Sequence, residues 1–398
     1  MVAMQNRPAN RIVTNGAVQT PADALAAVDA MIARSETFDL TKRDYKGSSE
    51  NFSITDEGKM QFRASQQLSL NAFSAEKSLV VVDESAPLGF TDYAFGQFLE
   101  RMSRSYFGNT QPVTKFMRRE DWETMRRNYP AQFSAIMNDV LSKYAAKTRN
   151  SGLLMRTYDE QIRAMFTSLY GIVDNTEMLK AVHGVLAESA SELPGLRIVR
   201  SEVTPDDMLL QVVWKNVASP NGEANRPGDG FSLGEGNYGT GFLVRNGETG
   251  RNGISITPAI WRGPCTNSIF LKTEQAFAMR HVGTSADLLA TIKVSTYKML
   301  PLMDKALQMA FEAEVQQLPS IADVINGFAK EYKWNDKVKS SVLLGTEGQH
   351  TKMGLVNGVS YAAHAATGGN TDLMVDMSTL AGSLLMQPVE YFERRARK

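Results

Sequence analysis

The sequence has a single cysteine, Cys265, and only four histidines, which are scattered. One cysteine excludes an intramolecular disulfide, and the histidines lack the spacing of zinc ligands, so we predict no metal and no cofactor. A free cysteine is usually a buried structural side chain, and we expect that role for Cys265 in preference to a nucleophile. This cysteine usage favours a reducing, cytoplasmic setting.

Long apolar runs and an excess of charge of one sign are also missing. No segment reaches the roughly 18 apolar residues of a membrane span. Residues 1–20 lack the apolar centre of a signal peptide. The 43 acidic and 43 basic side chains cancel, so attraction to nucleic acid requires a local patch. We expect a folded protein of the cytoplasm with no membrane partner.

The hydrophobic patterning predicts an α+β protein in three parts. Residues 1–20 are predicted to be a flexible arm. Residues 21–284 are predicted to form an α+β core with a twisted antiparallel sheet packed by helices and a glycine-rich hairpin at 222–253. Residues 285–398 are predicted to form a helical C-terminal region.

Individual elements follow from the same patterns. Apolar periodicity and capping signals predict helices from Pro21, over 92–108, over 119–147, over 158–170, and over 285–318 with a break at Pro301. Period-two patterns predict a β-meander within 36–83 and paired strands in RIVRSEV and MLLQVVWKN.

A segment rich in basic and aromatic residues lies between residues 101 and 149. A groove for single-stranded nucleic acid needs cations for phosphates and flat rings for bases, each stacked ring contributing about 1–3 kcal/mol. A solvated helical face with its aromatic residues in the core would give the same pattern and stays open. The candidate contacts, including three from the predicted exposed hairpin, are Arg118, Arg119, Trp122, Arg126, Arg127, Tyr238, Arg245 and Arg251.

Two other motifs point weakly to enzymes. Gly234, Gly236 and Gly239 match the letters of a dinucleotide-binding loop, but the following residues continue as a hairpin where that loop needs a helix. Glu-x-Lys pairs at Glu57 and Glu331, with a carboxylate such as Asp44, leave a metal-dependent nuclease as the least favoured alternative.

Three blocks in order resemble a known family: MRTYDEQIRAMFTSLYGIVDN at 155–175, GFLVRNGETGRNGISITPAIWRGPCTN at 241–267, and RHVG at 280–283. They are similar to the phage/plasmid-like family of unknown function, found in bacteriophages, plasmids and prophages. The matching positions are Arg163, Ala164, Ser168, Tyr170, Asp174, Asn175, Asn246, Gly247, Glu248, Thr249, Gly250, Arg262, Cys265, Thr266 and Asn267.

These motif residues also have local structural interpretations. Arg163 is expected to be buried and to pair with Asp174 or Glu248, which would hold a helix to the sheet. Asp174 and Asn175 look like a turn that ends a helix. Thr266 and Asn267 can cap a helix that follows the cysteine.

The α+β pattern is more distantly similar to phage single-strand annealing proteins of the RecT, Redβ and Erf types. This likeness implies a non-enzymatic protein that binds single-stranded DNA, assembles as a homo-oligomer and promotes annealing of complementary strands without metal or nucleotide. A phage structural or host-interaction protein that forms a homo-oligomer is the main alternative.

Overall fold

The computed structural model describes most of the 398 residues. The described ranges are 11–12, 20–48, 52–62, 87–106, 117–147, 152–167, 170–191, 193, 196–218, 237–262, 268–271, 277–281, 285–299, 302–368 and 370–396. Within them the chain has an α+β architecture with a helical C-terminal region, which confirms the predicted fold class.

The strands of the described ranges are β1 (Arg11–Ile12), β2 (Arg43–Ser48), β3 (Phe52–Ile54), β4 (Met60–Phe62), β5 (Gly89–Phe90), β6 (Gly152–Tyr158), β7 (Gln161–Thr167), β8 (Arg197–Val203), β9 (Asp207–Ala218), β10 (Asn237–Gly247), β11 (Ile254–Arg262), β12 (Ser268–Phe270) and β13 (Phe277–Met279).

The helices of the same ranges are α1 (Pro21–Asp39), α2 (Asp92–Tyr106), α3 (Arg119–Asn128), α4 (Pro130–Lys147), α5 (Asn175–Ser189), α6 (Ser285–Met299), α7 (Leu302–Val315), α8 (Ile321–Tyr332), α9 (Asp336–Gly345), α10 (Lys352–Ala365), α11 (Thr371–Leu385) and α12 (Val389–Ala396).

The larger sheet has the strand order β1-β8-β9-β10-β11-β12, and β13 pairs with the first residues of β11. Its pairs are antiparallel. Both faces are buried: Leu210 and Val212 pack against α1, α5 and α6, while Leu209 and Val213 belong to the core shared with α7 to α12. The sequences of these strands are therefore nearly continuous runs of apolar residues.

The smaller sheet has the order β2-β6-β7-β5. One face packs on α2, α4 and the β3–β4 hairpin, with Phe95, Phe98 and Phe133 at its centre. The opposite face carries Leu154, Ala164 and Phe166 together with charged side chains. That face points to the end of the larger sheet, where the candidate site lies.

Several helix boundaries have local causes. A capping box between Thr20 and Asp23, with Pro21 at the first helical position, begins α1. The Thr91 hydroxyl accepts a hydrogen bond from the Ala94 amide at 3.2 Å and so caps α2, as predicted. The predicted helical run over 119–147 is confirmed, with a break before Pro130.

The helix predicted over 158–170 is wrong, because the described residues of this segment up to Thr167 belong to the β6–β7 hairpin. Asp159 and Glu160 both have positive φ, 50° and 59°, and these values fit the tight turn that joins twisted antiparallel strands. Residues on both faces of β7 are buried. A short strand that is apolar on both faces cannot be told from a helix by periodicity.

Two further predictions need correction. Residues 36–39 continue α1, and β2 pairs with the distant β6, so 36–83 is not a simple meander. The chain after Asn267 forms strand β12, so no helix follows for Thr266 and Asn267 to cap. The predicted paired strands β8 and β9 and the helical C-terminal region are confirmed. The helical run predicted over 285–318 contains the two helices α6 and α7, and Pro301 itself lies outside the described residues.

Some predictions lie outside the described residues. They are most of the arm at 1–20, the hairpin segment 219–236 with Gly234 and Gly236, and the motif residues Ser168, Cys265, Thr266 and Asn267.

Candidate functional site

Most residues of the first two motif blocks meet where the smaller sheet faces the end of the larger one. Glu248, in the turn after β10, is at the centre and has no exposed surface. Its carboxylate accepts hydrogen bonds from Lys42 Nζ at 2.8 Å, from Arg163 Nη2 at 2.6 Å and from the Asn175 amide at 2.7 Å. Residues separated by up to 206 positions are thereby joined at one carboxylate.

The charge of Glu248 is set by a balance of two effects. Burial disfavours the ionised carboxylate, whereas Lys42, Arg163 and Arg156 favour it. The three cations prevail and hold the pKa of Glu248 well below its ordinary value. Glu248 is therefore a buried carboxylate ion at neutral pH.

Arg156 is the second centre of this cluster and is also fully buried. Its guanidinium donates to both Asp44 oxygens at 2.9 and 3.3 Å and to the Glu248 carbonyl at 3.1 Å, and it pairs with Asp174. Burial disfavours its charge, but the carboxylates of Asp44, Asp174 and Glu248 raise the pKa of Arg156 well above its usual value. Burial outweighs Arg156 at Asp44 and raises the pKa of that carboxyl.

A β-bulge directs Arg163 into the cluster. In the β6–β7 register, Arg156 pairs with Ala164 and Thr157 with Ile162, so Arg163 is the extra residue. A regular strand would turn Arg163 and Ala164 to opposite faces. With the bulge, Ile162 stays in the aromatic core while Arg163 reaches Glu248.

Stacked rings close one side of the cluster. The rings of Phe166 and Tyr170 lie 3.6 Å apart and nearly parallel, and His281 stacks on Tyr170 at 4.9 Å. Gly250 has φ +72°, and a Cβ there would meet Cε1 of Phe166 at 2.6 Å. Gly250 is therefore required both by its backbone conformation and by the ring beside it.

His281 is neutral in this setting. It is buried, and its Nδ1 lies 3.3 Å from the Gly171 carbonyl, to which a protonated Nδ1 donates. Burial, together with the positive charge of Arg156, lowers the pKa of His281 to about 4. The histidine thus acts as a flat, uncharged ring at neutral pH.

The cluster corrects and extends the sequence-based predictions. Arg163 pairs with Glu248, as one of the two predicted options had it, while Asp174 pairs with Arg156 instead. Asp174 and Asn175 begin helix α5, so the prediction of a helix-ending turn is wrong. Asn246 donates to the Asn175 side chain at 2.8 Å and completes the connection.

Sequence reasoning missed Lys42 and Arg156 and considered Asp44 only as part of a nuclease. Arg156 follows three consecutive apolar residues, Leu153, Leu154 and Met155, and an arginine in a strand buried on both faces signals a buried counter-charge. Nothing local points to Lys42 or Asp44. With their charges paired and buried, these groups can clamp the two sheets together.

Three of the proposed DNA contacts are buried and engaged with other side chains. Trp122 is 7% exposed and packs on Phe133, and Tyr238 is fully buried with its hydroxyl donating to Glu314 at 2.7 Å. The stacking role predicted for both rings is therefore wrong. Arg245 is also buried and pairs with Asp207 at 3.0 Å and with Asp372, because the β10–β11 hairpin is covered on both faces.

The candidate arginines of α3 are more accessible. Arg118 and Arg127 have side chains that are 80% and 68% exposed, and Arg119 is exposed too. Arg126 is largely covered, because its guanidinium lies over the Phe95 ring at 5.0 Å and pairs with Glu123 at 2.9 Å.

An exposed ring also flanks this helix. Tyr129, which follows α3 directly, is 59% exposed. We call Arg118, Arg119, Arg127 and Tyr129 the α3 surface.

The α3 surface is connected to the β10–β11 turn through α2. The Arg119 guanidinium donates to the Asp92 carbonyl and lies over Gly96. The next residue, Gln97, donates to the Thr249 carbonyl at 3.3 Å. Two residues farther along the turn is Arg251, with a half-exposed side chain 3.6 Å from Asp372.

No group of three or more His, Cys, Asp or Glu side chains in the described ranges could hold a metal ion. No helix within the same ranges is long and apolar enough to cross a membrane.

Comparison with known proteins gives no family assignment. No family model, no curated protein and no solved structure matches the chain. The resemblance to the phage/plasmid-like family stays a prediction.

Proposed function

We propose that this chain is a non-enzymatic, phage-type protein that binds single-stranded DNA through the α3 surface and promotes annealing of complementary strands. We further propose that it works as a homo-oligomer in the cytoplasm of a bacterial host. The observation that carries the proposal is that α3 and its two flanking residues carry three exposed arginines and the exposed ring of Tyr129. Cations and flat rings together are the two components of a single-strand site.

The existing ion pairs of α3 leave these arginines available to phosphates. Arg118 pairs with Asp121 at 3.1 Å, and Arg127 reaches Glu123 at 3.4 Å while Glu123 also serves Arg126. Exposed pairs of this kind contribute little to stability. A DNA phosphate that replaces a carboxylate at these guanidinium groups therefore displaces only weak interactions, and bound counterions are released from the strand.

Exposed apolar side chains support the homo-oligomer. Leu343 and Leu344 lie side by side in α9 and are 52% and 66% exposed. Adjacent exposed leucines favour contact with another protein surface, here a second copy. The same observation favours the second candidate, a phage structural or host-interaction protein, which would form the oligomer without salt-dependent affinity for DNA.

The test replaces Arg118, Arg119 and Arg127 with glutamine together and measures binding of a labelled thymidine oligonucleotide by fluorescence anisotropy. We expect affinity at low salt to fall at least tenfold and annealing to slow in parallel, because three phosphate contacts are lost. The control replaces the exposed Arg34, Lys298 and Lys337, which removes the same charge elsewhere.

The control decides between a site and a general charge effect. Equal losses in the two triple variants, or no loss in the α3 variant, would contradict the proposal. Tyr129→Ala should weaken binding further, by about 1–3 kcal/mol, while Tyr129→Phe should retain it because the ring is kept.

A further inference from the structure

A cleft of about 340 Å³ opens on the face of the larger sheet that carries the C-terminal helices. Its floor consists of two cross-strand pairs of β10 and β11, Leu243 with Thr257 and Arg245 with Ser255. Ile254 and Ile256 point to the opposite core, which turns Ser255 and Thr257 into the cleft.

The walls come from three elements. Helix α11 contributes Val375 and Thr379, β12 contributes Phe270, and the end of β13 contributes Met279 with the following Arg280. The strands β12 and β13 pair with different parts of β11, residues 259–261 and 254–256. The floor at Thr257 lies between these two pairings.

Several hydrogen-bond donors in the cleft have no protein partner. Within the described part of the chain, the hydroxyls of Ser255 and Thr257 make no hydrogen bond, and Arg280 is exposed without an ion pair. The Nε of the buried Arg245 is likewise unpartnered there. A buried donor without a partner costs free energy, so a ligand that supplies acceptor oxygens would gain by binding here.

The charges around the cleft favour an anion. Arg245, Arg251 and Arg280 stand against two carboxylates, Asp207 and Asp372, which both pair with Arg245. One positive charge is in surplus. Guanidinium groups with hydroxyls nearby suit phosphate oxygens, because charge-assisted hydrogen bonds are the strong ones.

The apolar part of the lining suits a flat ring. Met279 and Val375 are half-buried and supply carbon surface next to the donors, whereas the side chains of Leu243 and Phe270 are buried. Ligand pockets span roughly 300–1,000 Å³, so this cleft is at the small end of that range. Its size fits one nucleotide and is too small for a dinucleotide.

We propose that the cleft binds one nucleotide unit, with its phosphate held by Arg280, Ser255 and Thr257 and its base against Met279 and Val375. The unit is either a free nucleoside monophosphate or one residue of a bound strand. If the unit belongs to a bound strand, the inference rests on the proposed function. The β10–β11 turn, which carries Arg251, then connects the cleft to the α3 surface.

The test is calorimetric titration of the full chain with thymidine monophosphate, thymidine and inorganic phosphate. We expect the nucleotide to bind at least tenfold more tightly than either fragment, since only it engages both donors and apolar lining. Thr257→Val and Arg280→Gln should each weaken nucleotide binding about tenfold, while Arg34→Gln, on exposed α1 surface, should leave it unchanged. Thr257→Val keeps the shape of the side chain and removes only its hydroxyl, so it still tests the phosphate site if Arg280→Gln misfolds.

Absence of nucleotide binding at millimolar concentration, or equal binding by both cleft variants and the wild type, would overturn the inference. A thymidine oligonucleotide identifies the source of the unit. If the cleft variants weaken the oligonucleotide as well, the strand supplies the nucleotide; if they weaken only the monophosphate, the free nucleotide is the ligand.

The two proposals fail separately. Cleft variants that leave nucleotide binding intact, with α3 variants that weaken oligonucleotide binding, would refute the cleft and keep the DNA site. The reverse pattern, in which cleft variants lose the nucleotide and α3 variants bind the oligonucleotide normally, would refute the proposed function and keep the cleft.

Discussion

At the scale of single residues, Glu248 shows how one buried carboxylate can depend on its partners. Lys42, Arg156 and Arg163 surround it, and each of these cations is itself buried. Moving such charges out of water is unfavourable, so the network stabilises the fold only while it is complete. Removing one member leaves the others without a counter-charge.

Glu248→Gln should therefore lower the free energy of unfolding by about 3–5 kcal/mol, because it leaves buried cations uncompensated. Equilibrium unfolding in urea measures the change. The control is Glu36→Gln, which breaks an exposed pair with Lys180 and should change stability by no more than about 0.5 kcal/mol. Similar values for the two variants would show that the cluster does not clamp the sheets.

His281 gives the stability a specific pH dependence. The unfolded side chain takes up a proton near its ordinary pKa of 6.5, but the folded one only near 4, so falling pH favours the unfolded state between these values. A shift of this size corresponds to on the order of 3 kcal/mol. Burial raises the pKa of Asp207 to about 6, against the effect of Arg245, and this acts in the opposite sense.

Comparison with His281→Gln separates the two contributions, because Asp207 and the other groups near the cluster are present in both proteins. The wild type should lose on the order of 3 kcal/mol more stability than the variant between pH 6.5 and 4. Urea unfolding at several pH values measures this, with the exposed His350→Gln as control. Parallel pH profiles for wild type and His281→Gln would contradict the assignment.

At the scale of elements, capping signals in the sequence predicted where helices begin, because they act locally. The helices predicted from Pro21 and over 92–108 begin where Thr20 and Thr91 cap them, since a cap acts within one turn. The β6–β7 hairpin was predicted as a helix because both of its faces are buried, which removes the alternation that reveals a strand. The pairing of β2 with β6 spans more than a hundred residues and leaves no local trace.

Close packing of α11 on the larger sheet depends on Gly382. A Cβ at this position would collide with the Phe270 carbonyl, which is backbone and cannot move aside. Gly382→Ala should therefore destabilise the protein by about 2 kcal/mol or more, although alanine is the better helix former. Thermal unfolding measures the effect.

The matched control is Gly184→Ala in α5, where a Cβ would meet no atom within 4 Å. That substitution should stabilise the protein by about 0.5–1 kcal/mol, since only helix propensity changes. Destabilisation of both variants to the same extent would mean that contact with Phe270 is not the cause.

At the scale of the whole molecule, the sequence identified residues that come together in the fold, but it did not show what each of them does there. The motif letters Arg163, Asn175, Asn246 and Glu248 come together as a cluster, although their arrangement needed the bulge in β7 and the two facing sheets. The proposed DNA contacts differ in burial: Trp122, Tyr238 and Arg245 are buried, whereas Arg118, Arg119 and Arg127 are exposed. Whether a given arginine or aromatic ring faces solvent depends on layers contributed by distant parts of the chain, and the sequence pattern alone does not contain that information.

The most direct test of the central claim is the salt dependence of single-strand binding by the wild-type chain, without added metal or nucleotide. Arg118, Arg119, Arg127 and Arg251 are the exposed arginines of the α3 surface and of the β10–β11 turn that we expect to contact phosphates. At about −0.7 per phosphate contact, three or four contacts predict a slope of about −2 to −3 for log affinity against log salt. No binding at low salt, or affinity that salt does not change, would contradict the account.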